Sequence, residues 1–474
     1  MSETEDIGQL IWARLNAYRE HSQTGQGPVL TQMPAQDLAQ DLQLKNWIEQ
    51  GGLNADTVDR FLEPYLKNTQ HMHHPGYIGH QVAVPHIGAS LAEMIHGVTN
   101  NPMAVYEMGP AASVIERVII NWMLEKIGWY SGAIDDFEAN EDQGAGILTH
   151  GGSLANLTAL LAARACVAPH AWEEGVPDNL AVIAPAATHY SLARAVSIAG
   201  LGQNAIYYAP VSDLEVLRPE TLEAVHAKAE GDGKTVFMIS ANACTTATGL
   251  YDPIDEVADF CQSRGIWFHV DGAHGGSALL SSKEKHLLKG VARADSFIWD
   301  AHKMMRTSAL CAAVLFKKQR SLVDAFRQQG SYIFYGEDQP GFDIGPYTVE
   351  CTKAPLGTKL FWVLAMEGEA KLGAFVDKQY SDTRAFHDLI NAEPDFSCPY
   401  VPEANILCFH YDPVEEDARQ LALRTEITRR GNFYITSAEI CGRRYLRLSV
   451  MNPLTTVETI KSLLEEIRVC ATLV

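Results

Sequence analysis

Residues 294–316, ADSFIWDAHKMMRTSALCAAVLF, read as two core strands with a short polar turn between them. The flanking runs FIW and ALCAAVLF are apolar and of strand length, as suits strands buried on both faces of a sheet. Between them stand Asp300, His302, Lys303 and Arg306. A surface lysine is common and usually means nothing. Where two buried strands meet, the reading depends on what else the chain offers Lys303.

Working outward, the chain from about residue 145 alternates short apolar strands with helices. Strand candidates are AGILTH, LAVIAP, NAIYYAP, KTVFMIS, GIWFHV, DSFIW and ALCAAVLF; helix candidates between them include SLANLTALLAARACV, SLARAVSIAG and DPIDEVADFCQSRG. This alternation predicts an α/β fold with a mostly parallel sheet. Residues 1–70 carry apolar residues at helical spacing, with Asp56 as the expected cap of a helix in DTVDRFLEPYLKN. Further helices are expected near 87–97 and 110–128, a loop rich in Gly, Pro, Tyr and Asp over 328–355, and helices over 356–391. An α+β tail with strands near 404–410 and 443–450 follows. The expected organisation is an N-terminal helical segment (1–100), a large α/β domain (101–350) and a small α+β domain (351–474). Amphipathic helices outside the main domain need a surface to cover them, which points to dimer formation.

The 474 residues are 47% hydrophobic, enough for a large core, and carry a net charge of −21. That charge argues against nucleic acid or an anionic membrane as a partner. No apolar run reaches the roughly 18 residues of a membrane span, and the start MSETEDIGQL lacks the basic and apolar blocks of a signal peptide. Nine scattered cysteines without a CxxC pair argue against a disulfide framework or a zinc site. A reduced, cytoplasmic protein is the expectation.

Ligands in open α/β sheets collect at the carboxyl ends of strands, and four such ends carry polar residues. Gly151-Gly152-Ser153 closes the first strand and opens a helix, forming either a phosphate cup or a glycine turn capped by Ser153. His189 and Tyr190 follow LAVIAP; a histidine there can stack on a planar ring, act as acid or base, or simply pack. Asp271 ends the run WFHVD, where a carboxylate needs an arginine, a metal or the protonated nitrogen of a bound heterocycle. Small residues after it (Gly272, Ala273, Gly275 and Gly276) leave room for a flat ligand. Lys303 lies 32 residues beyond Asp271, the interval of a strand end, a crossover and the next strand end. A phosphate cup, a stacking histidine, an acid for a ring nitrogen and an amine for an aldehyde are together what pyridoxal 5′-phosphate requires.

These residues resemble the group II pyridoxal-phosphate decarboxylases, which act on glutamate, cysteine sulfinate, aromatic amino acids and diaminobutyrate. The resemblance rests on HGGSLANLTAL, HYS at 189–191, TTATGLYDPI, HVDGAHGGSALL and WDAHKMM, in that order. It implies the aspartate-aminotransferase-like fold (fold type I) with a seven-stranded sheet, as a homodimer with active sites at the interface. It implies that Lys303 carries the cofactor, His302 lies near the phosphate, and His189 stacks on the ring and takes part in catalysis. Asp271 would pair with the ring nitrogen, Ala273 would pack on the other face, Gly152 and Ser153 would sit at the phosphate, and Thr246 near the ring or substrate. A loop tyrosine would protonate the substrate carbon; Tyr332, Tyr335 and Tyr347 are available, while Phe342 stands as a candidate for the matching place.

Two departures stand out: Cys244 precedes Thr245 and Thr246 where the family often has glycine, and Asp300-Ala301 replaces Asn-Pro. His71, His73, His74 and His80 look like a metal cluster by count, but the His74-Pro75 pair matches the family's substrate-side loop, so His74 is a substrate candidate and no metal is expected. The implied reaction is α-decarboxylation of an L-amino acid to CO2 and a primary amine. VYEMGPAASVIE resembles the segment of enzymes for acidic substrates (glutamate, aspartate, cysteine sulfinate), whereas RRYLRLSVMNPLTT resembles the 2,4-diaminobutyrate enzymes. Arg447 is the candidate for an anionic substrate group, or else a plain strand residue. Two alternatives remain: a decarboxylating aldehyde synthase, should Phe342 replace the loop tyrosine, and a catalytically silent partner-binding dimer. The second would have lost Lys303, Asp271 or His189, and all three stand.

Overall fold

The computed structural model describes residues 3–134, 136, 141–326 and 341–474. They form two compact units: one of residues 81–380 with 402–404, the other of the N-terminal 80 residues with 381–401 and 405–474.

The larger unit is built on a seven-stranded sheet: β1 (Ala145–Thr149), β2 (Leu180–Pro185), β3 (Ile206–Ala209), β4 (Thr235–Asn242), β5 (Trp267–Asp271), β6 (Ser296–Asp300) and β7 (Ala312–Phe316), ordered β1-β7-β6-β5-β4-β2-β3. All seven expected strands are present. Every residue of β1, β2, β6 and β7 is buried, which explains why they read as unbroken apolar runs. Strand β7 runs antiparallel to both β1 and β6, and the remaining pairings are parallel. Its reversal follows from chain length. Only residues 301–311 join β6 to β7, and a parallel return needs a crossover of a dozen or more residues. Six strands therefore point the same way, and their carboxyl ends share one edge of the sheet. That edge receives Gly151, His189, Cys244, Asp271 and the turn carrying Lys303.

Two glycines permit the close approaches this edge requires. Gly151 turns the chain from β1 into helix Gly152–Val167 at φ +100°, a left-handed conformation that side chains disfavour. At Gly272, directly after β5, a Cβ would stand 2.3 Å from the Phe297 ring and 2.8 Å from the Ile298 carbonyl.

The second unit holds a four-stranded antiparallel sheet of β8 (Phe396–Ser397), β9 (Ile406–Tyr411), β10 (Thr436–Ile440) and β11 (Arg443–Ser449), ordered β10-β11-β9-β8. Leu407, Phe409, Leu446 and Leu448 form a core with Ile460, Leu463 and Ile467 of helix Val457–Ala471. Strands β9 and β11 match the expected tail strands; β8 and β10 are additional. Strands β10 and β11 join through Cys441 and Gly442, both at positive φ, as a two-residue hairpin requires. Asp56 does not cap a helix. The helix begins later, at Asp59, behind Val58, because the Asn54 side chain accepts from the Asp56 and Thr57 N–H groups and holds that stretch as a turn. Gly368, at φ +74°, divides the expected helical stretch 356–391 into Leu356–Glu367 and Glu369–Asn391. Among the described residues no helix is long and apolar enough to cross a membrane.

Two glycine-to-alanine changes should differ in sign. Gly272→Ala should destabilise by about 1–3 kcal/mol, because the Phe297 ring and a strand carbonyl must shift. Gly97→Ala, in helix Ile87–Thr99 with nothing within 4 Å of the added carbon, should stabilise by about 0.5–1 kcal/mol. Denaturant midpoints of the two variants check both.

Candidate active site

At the common edge lies a cleft of ≈ 280 Å³ lined by Gly152, Ser153, His189, Thr246, Asp271, Ala273, His302 and Lys303, the full set of residues expected around a cofactor. It is also lined by Asn156, Ser191, Asn242 and Asp300. Helix Gly152–Val167 starts at the cleft with Gly151 as its N-cap, which makes no side-chain hydrogen bond, so the first amide groups have no capping side chain.

A chain of hydrogen bonds runs behind the cleft, and its proton directions are fixed by chemistry. An indole N–H can only donate. Trp267 Nε1 donates to Ser296 Oγ at 2.9 Å, and the same oxygen lies 2.8 Å from His269 Nδ1. His269 is fully buried, and burial lowers its pKa to about 4, with the Asp271 charge working the other way. It is therefore neutral at pH 7; its Nε2 lies 2.9 Å from Asn156 Oδ1, an oxygen that can only accept, so the proton sits on Nε2 and Nδ1 accepts from the Ser296 hydroxyl. With its oxygen so occupied, the Asn156 amide turns its NH2 to Asp271 Oδ2 (3.1 Å) and Ser191 Oγ (2.9 Å). Ser191 in turn approaches His189 Nδ1 at 2.7 Å, so its hydroxyl donates there, alongside its backbone N–H at 3.2 Å. His189 thus carries its own proton on Nε2 when neutral, and burial lowers its pKa, offset in part by Asp271. The Ala273 N–H completes the shell of Asp271, donating to Oδ1 at 3.2 Å. These N–H donors orient the carboxyl group without supplying a counter-charge.

The turn after β6 contributes the amine. Lys303 Nζ lies 3.5 Å from Asp300 Oδ2, and His302 Nε2 lies 3.6 Å from the same oxygen. His302 is set by its ring Nδ1, which lies 2.9 Å from the Cys311 carbonyl and 3.3 Å from the Cys311 amide nitrogen. Burial pushes the Asp300 carboxyl above its ordinary range, against the pull of Lys303 and His302.

Other expected residues lie elsewhere. Tyr347 belongs to the larger unit and ends the turn Gly345–Tyr347, but it is not among the described residues lining the cleft; burial raises its pKa, helped by Asp343 and opposed by Arg117. Phe342 is buried and packs at 5.8 Å on the ring of Tyr106, while Asp343 accepts from the Tyr106 N–H at 2.8 Å. The returning end of the loop is thus docked on the Tyr106-Glu107 segment. Tyr332 and Tyr335 lie outside the described residues. Arg447 and His74 belong to the smaller unit. Arg447 is buried on β11 and donates to the Gly79 carbonyl (3.3 Å) and Thr436 Oγ (3.2 Å). His74 is buried, its Nδ1 accepting from the Gly76 N–H at 2.9 Å. Among the described residues no group of three or more His, Cys, Asp or Glu could hold a metal ion.

Asn156, Ser191 and His269 were not anticipated. Asn156 is a lone polar residue one turn into an apolar helix, and His269 interrupts an apolar strand. In each case the signal was a buried polar residue that must have a partner.

The sequence model of the family described as the pyridoxal-dependent decarboxylase conserved domain matches residues 53–412, more than half of the chain. The mouse acidic amino acid decarboxylase GADL1 is 27% identical over 453 residues, covering 92% of this chain and 80% of that protein. Mouse cysteine sulfinic acid decarboxylase is 30% identical over 319 residues, covering 66% of this chain and 62% of that protein. The crystal structure of mouse CSAD superposes with a TM-score of 0.89 at 24% identity, covering 99% of this chain and 98% of that one, which shows the shared fold.

The neutral His269 makes stability fall with acid. Its folded pKa of about 4 lies below the unfolded value of about 6.5, so the unfolded chain binds the extra proton and stability is lost as pH drops below 6.5. Between pH 6.5 and pH 5 this group should remove about 2 kcal/mol. His269→Gln should show a shallower loss over that interval, measured as urea midpoints at pH 7 and pH 5.

Proposed function

The chain belongs to the pyridoxal-dependent decarboxylase family, and we propose that it is an L-amino acid α-decarboxylase acting on an acidic substrate such as aspartate, glutamate or cysteine sulfinate. The observation that carries this reading is the gathering of Lys303, Asp271, His189 and Gly152 from four strand ends around one cleft. The cofactor of the family is pyridoxal 5′-phosphate, and the residues present fit it. Lys303 supplies the amine for its aldehyde, Asp271 an oriented carboxyl for its ring nitrogen, and the uncapped helix start at Gly152 and Ser153 a cradle for its phosphate. Once bound, the cofactor supplies a protonated heterocycle that accepts the electron pair released as CO2 leaves.

The protein's own groups then have distinct tasks. Asp271, oriented by the Asn156 side chain and the Ala273 N–H, would pair with the ring nitrogen and favour its protonated form. His189, oriented by Ser191 and carrying its proton on Nε2 when neutral, would hold one face of the ring, and Ala273 would hold the other. Thr246 and His302 bound the ring and the phosphate. Lys303 Nζ, on the turn after β6, is the amine that would hold the cofactor covalently between turnovers. Orientation of the substrate carboxylate, rather than the chemistry of the ring, selects C–C over C–H cleavage. The proton delivered to the substrate carbon is assigned to a loop tyrosine, Tyr332 or Tyr347; burial keeps the Tyr347 hydroxyl protonated at neutral pH.

The acidic substrate is supported by what the named relatives act on and by the Tyr106-Glu107 segment that holds the loop end. Arg447 is the residue we assign to the substrate's anionic group, with His74 beside the substrate. A homodimer is supported by exposed Met94, Ile95 and Val98 on helix Ile87–Thr99 and Phe361 and Met366 on helix Leu356–Glu367. A reducing cytoplasmic setting is supported by nine free cysteines.

Assay of the holoprotein for CO2, amine, aldehyde and peroxide should give CO2 with matching amine from an acidic L-amino acid. Preference over a neutral isostere should reach about tenfold to a hundredfold, the worth of a hydrogen bond to a charged group. Arg447→Met should raise KM for that substrate with little change in kcat. 2,4-Diaminobutyrate as the preferred substrate would overturn the acidic assignment. Replacing the operative loop tyrosine by phenylalanine should shift product from amine to aldehyde with peroxide; aldehyde from the unaltered protein would place it with the oxidative enzymes instead.

A further inference from the structure

The cofactor reading gives no task to Asp300, an acidic residue of the cleft. Asp300 is 2% exposed, and its Oδ1 is buried with no hydrogen-bond partner. The carboxyl group faces the helix start: a Cβ on Gly152 would stand 3.1 Å from Oδ2 and 3.3 Å from Oδ1. It therefore occupies the cup that receives the phosphate. Two anions in one buried site repel strongly, and one of them ordinarily takes up a proton. Lys303 is the sole lysine or arginine among the described residues of the cleft, and its amine is committed to the aldehyde. No fixed cation remains there to neutralise both anions.

Resting on that reading of the cleft, we propose that Asp300 binds the cofactor's phosphate as a neutral carboxylic acid, with Oδ1–H donating to a phosphate oxygen. Cofactor binding above neutral pH then takes up one proton that unphosphorylated pyridoxal does not require. The groups around Asp300 agree. Lys303 and His302 on its own turn favour its charge, while Asp271 from β5 opposes it; His189 and Cys311 also face it. Burial already raises the Asp300 pKa, against the pull of Lys303 and His302, before any phosphate arrives. The departure from Asn-Pro to Asp300-Ala301 thus keeps a donor at this position, at the cost of making it titratable.

The test is the affinity of the apoprotein for pyridoxal 5′-phosphate and for pyridoxal between pH 7 and pH 9, in the natural protein and in Asp300→Asn. The phosphate, with its second pKa near about 6, does not titrate in this range. Relative to Asp300→Asn, the natural protein should lose about tenfold in affinity for the phosphorylated compound per pH unit. The two proteins should show parallel profiles for pyridoxal. Parallel profiles with both compounds, or weaker binding by Asp300→Asn at every pH, would overturn the proposal while leaving the cleft reading intact. Failure of the natural protein to bind either compound would overturn both. Should Asp300→Asn not fold, calorimetry of the natural protein at pH 8 in two buffers of different ionisation enthalpy decides. An excess uptake of one proton for the phosphorylated compound over pyridoxal is expected, and no excess refutes the proposal.

Discussion

The Ser191 backbone N–H can only donate, and it is spent on His189 Nδ1, so the proton directions behind the cleft follow from it. Because His189 Nδ1 therefore accepts, the Ser191 hydroxyl donates to it and takes the Asn156 NH2 group on its oxygen. Because His269 is too deeply buried to hold a second proton, it must donate through Nε2. The Asn156 amide is then fixed with its nitrogen towards Asp271, and Ser191 is left to orient His189. Reversing any link would place donor against donor, or leave a buried polar atom unpaired, at roughly 1–3 kcal/mol each. A carboxyl group at a strand end and a histidine before a helix, far apart in sequence, therefore take their orientations from one source.

That chain of bonds needs strands β5 and β6 side by side and helix Gly152–Val167 laid across them. The sheet order supplies this arrangement. Asp271 ends β5 in register with Asn242 of β4 and Ile298 of β6. The short return into β7 then keeps the Lys303 turn at the same edge. The amine is held at the edge by its place directly after β6, and β7 reverses because the connection is short.

Much of this was legible because buried strands leave a coarse signature. Seven short, mostly apolar runs were enough to name the sheet, and polar residues just past their ends pointed to the cleft. The misses have physical reasons. Asn156 and His269 are single polar residues inside apolar elements, and their partner is another such residue more than a hundred positions away. Strands β8 and β10 are short or half-exposed edges with weak alternation. Asp56 had the right chemistry for a cap, but the neighbouring Asn54 turn displaced the helix start. Arg447 reads as a basic residue on a polar strand, and only the fold reveals that it is buried.

The central claim is that an oriented Asp271 keeps a bound heterocycle protonated, and nitrogen NMR of the holoprotein loaded with pyridoxal 5′-phosphate labelled at the ring nitrogen tests it most directly. The account predicts the chemical shift of a protonated pyridine nitrogen at pH 8, collapsing to the unprotonated value in Asp271→Asn. An unprotonated ring nitrogen in the natural protein would contradict it.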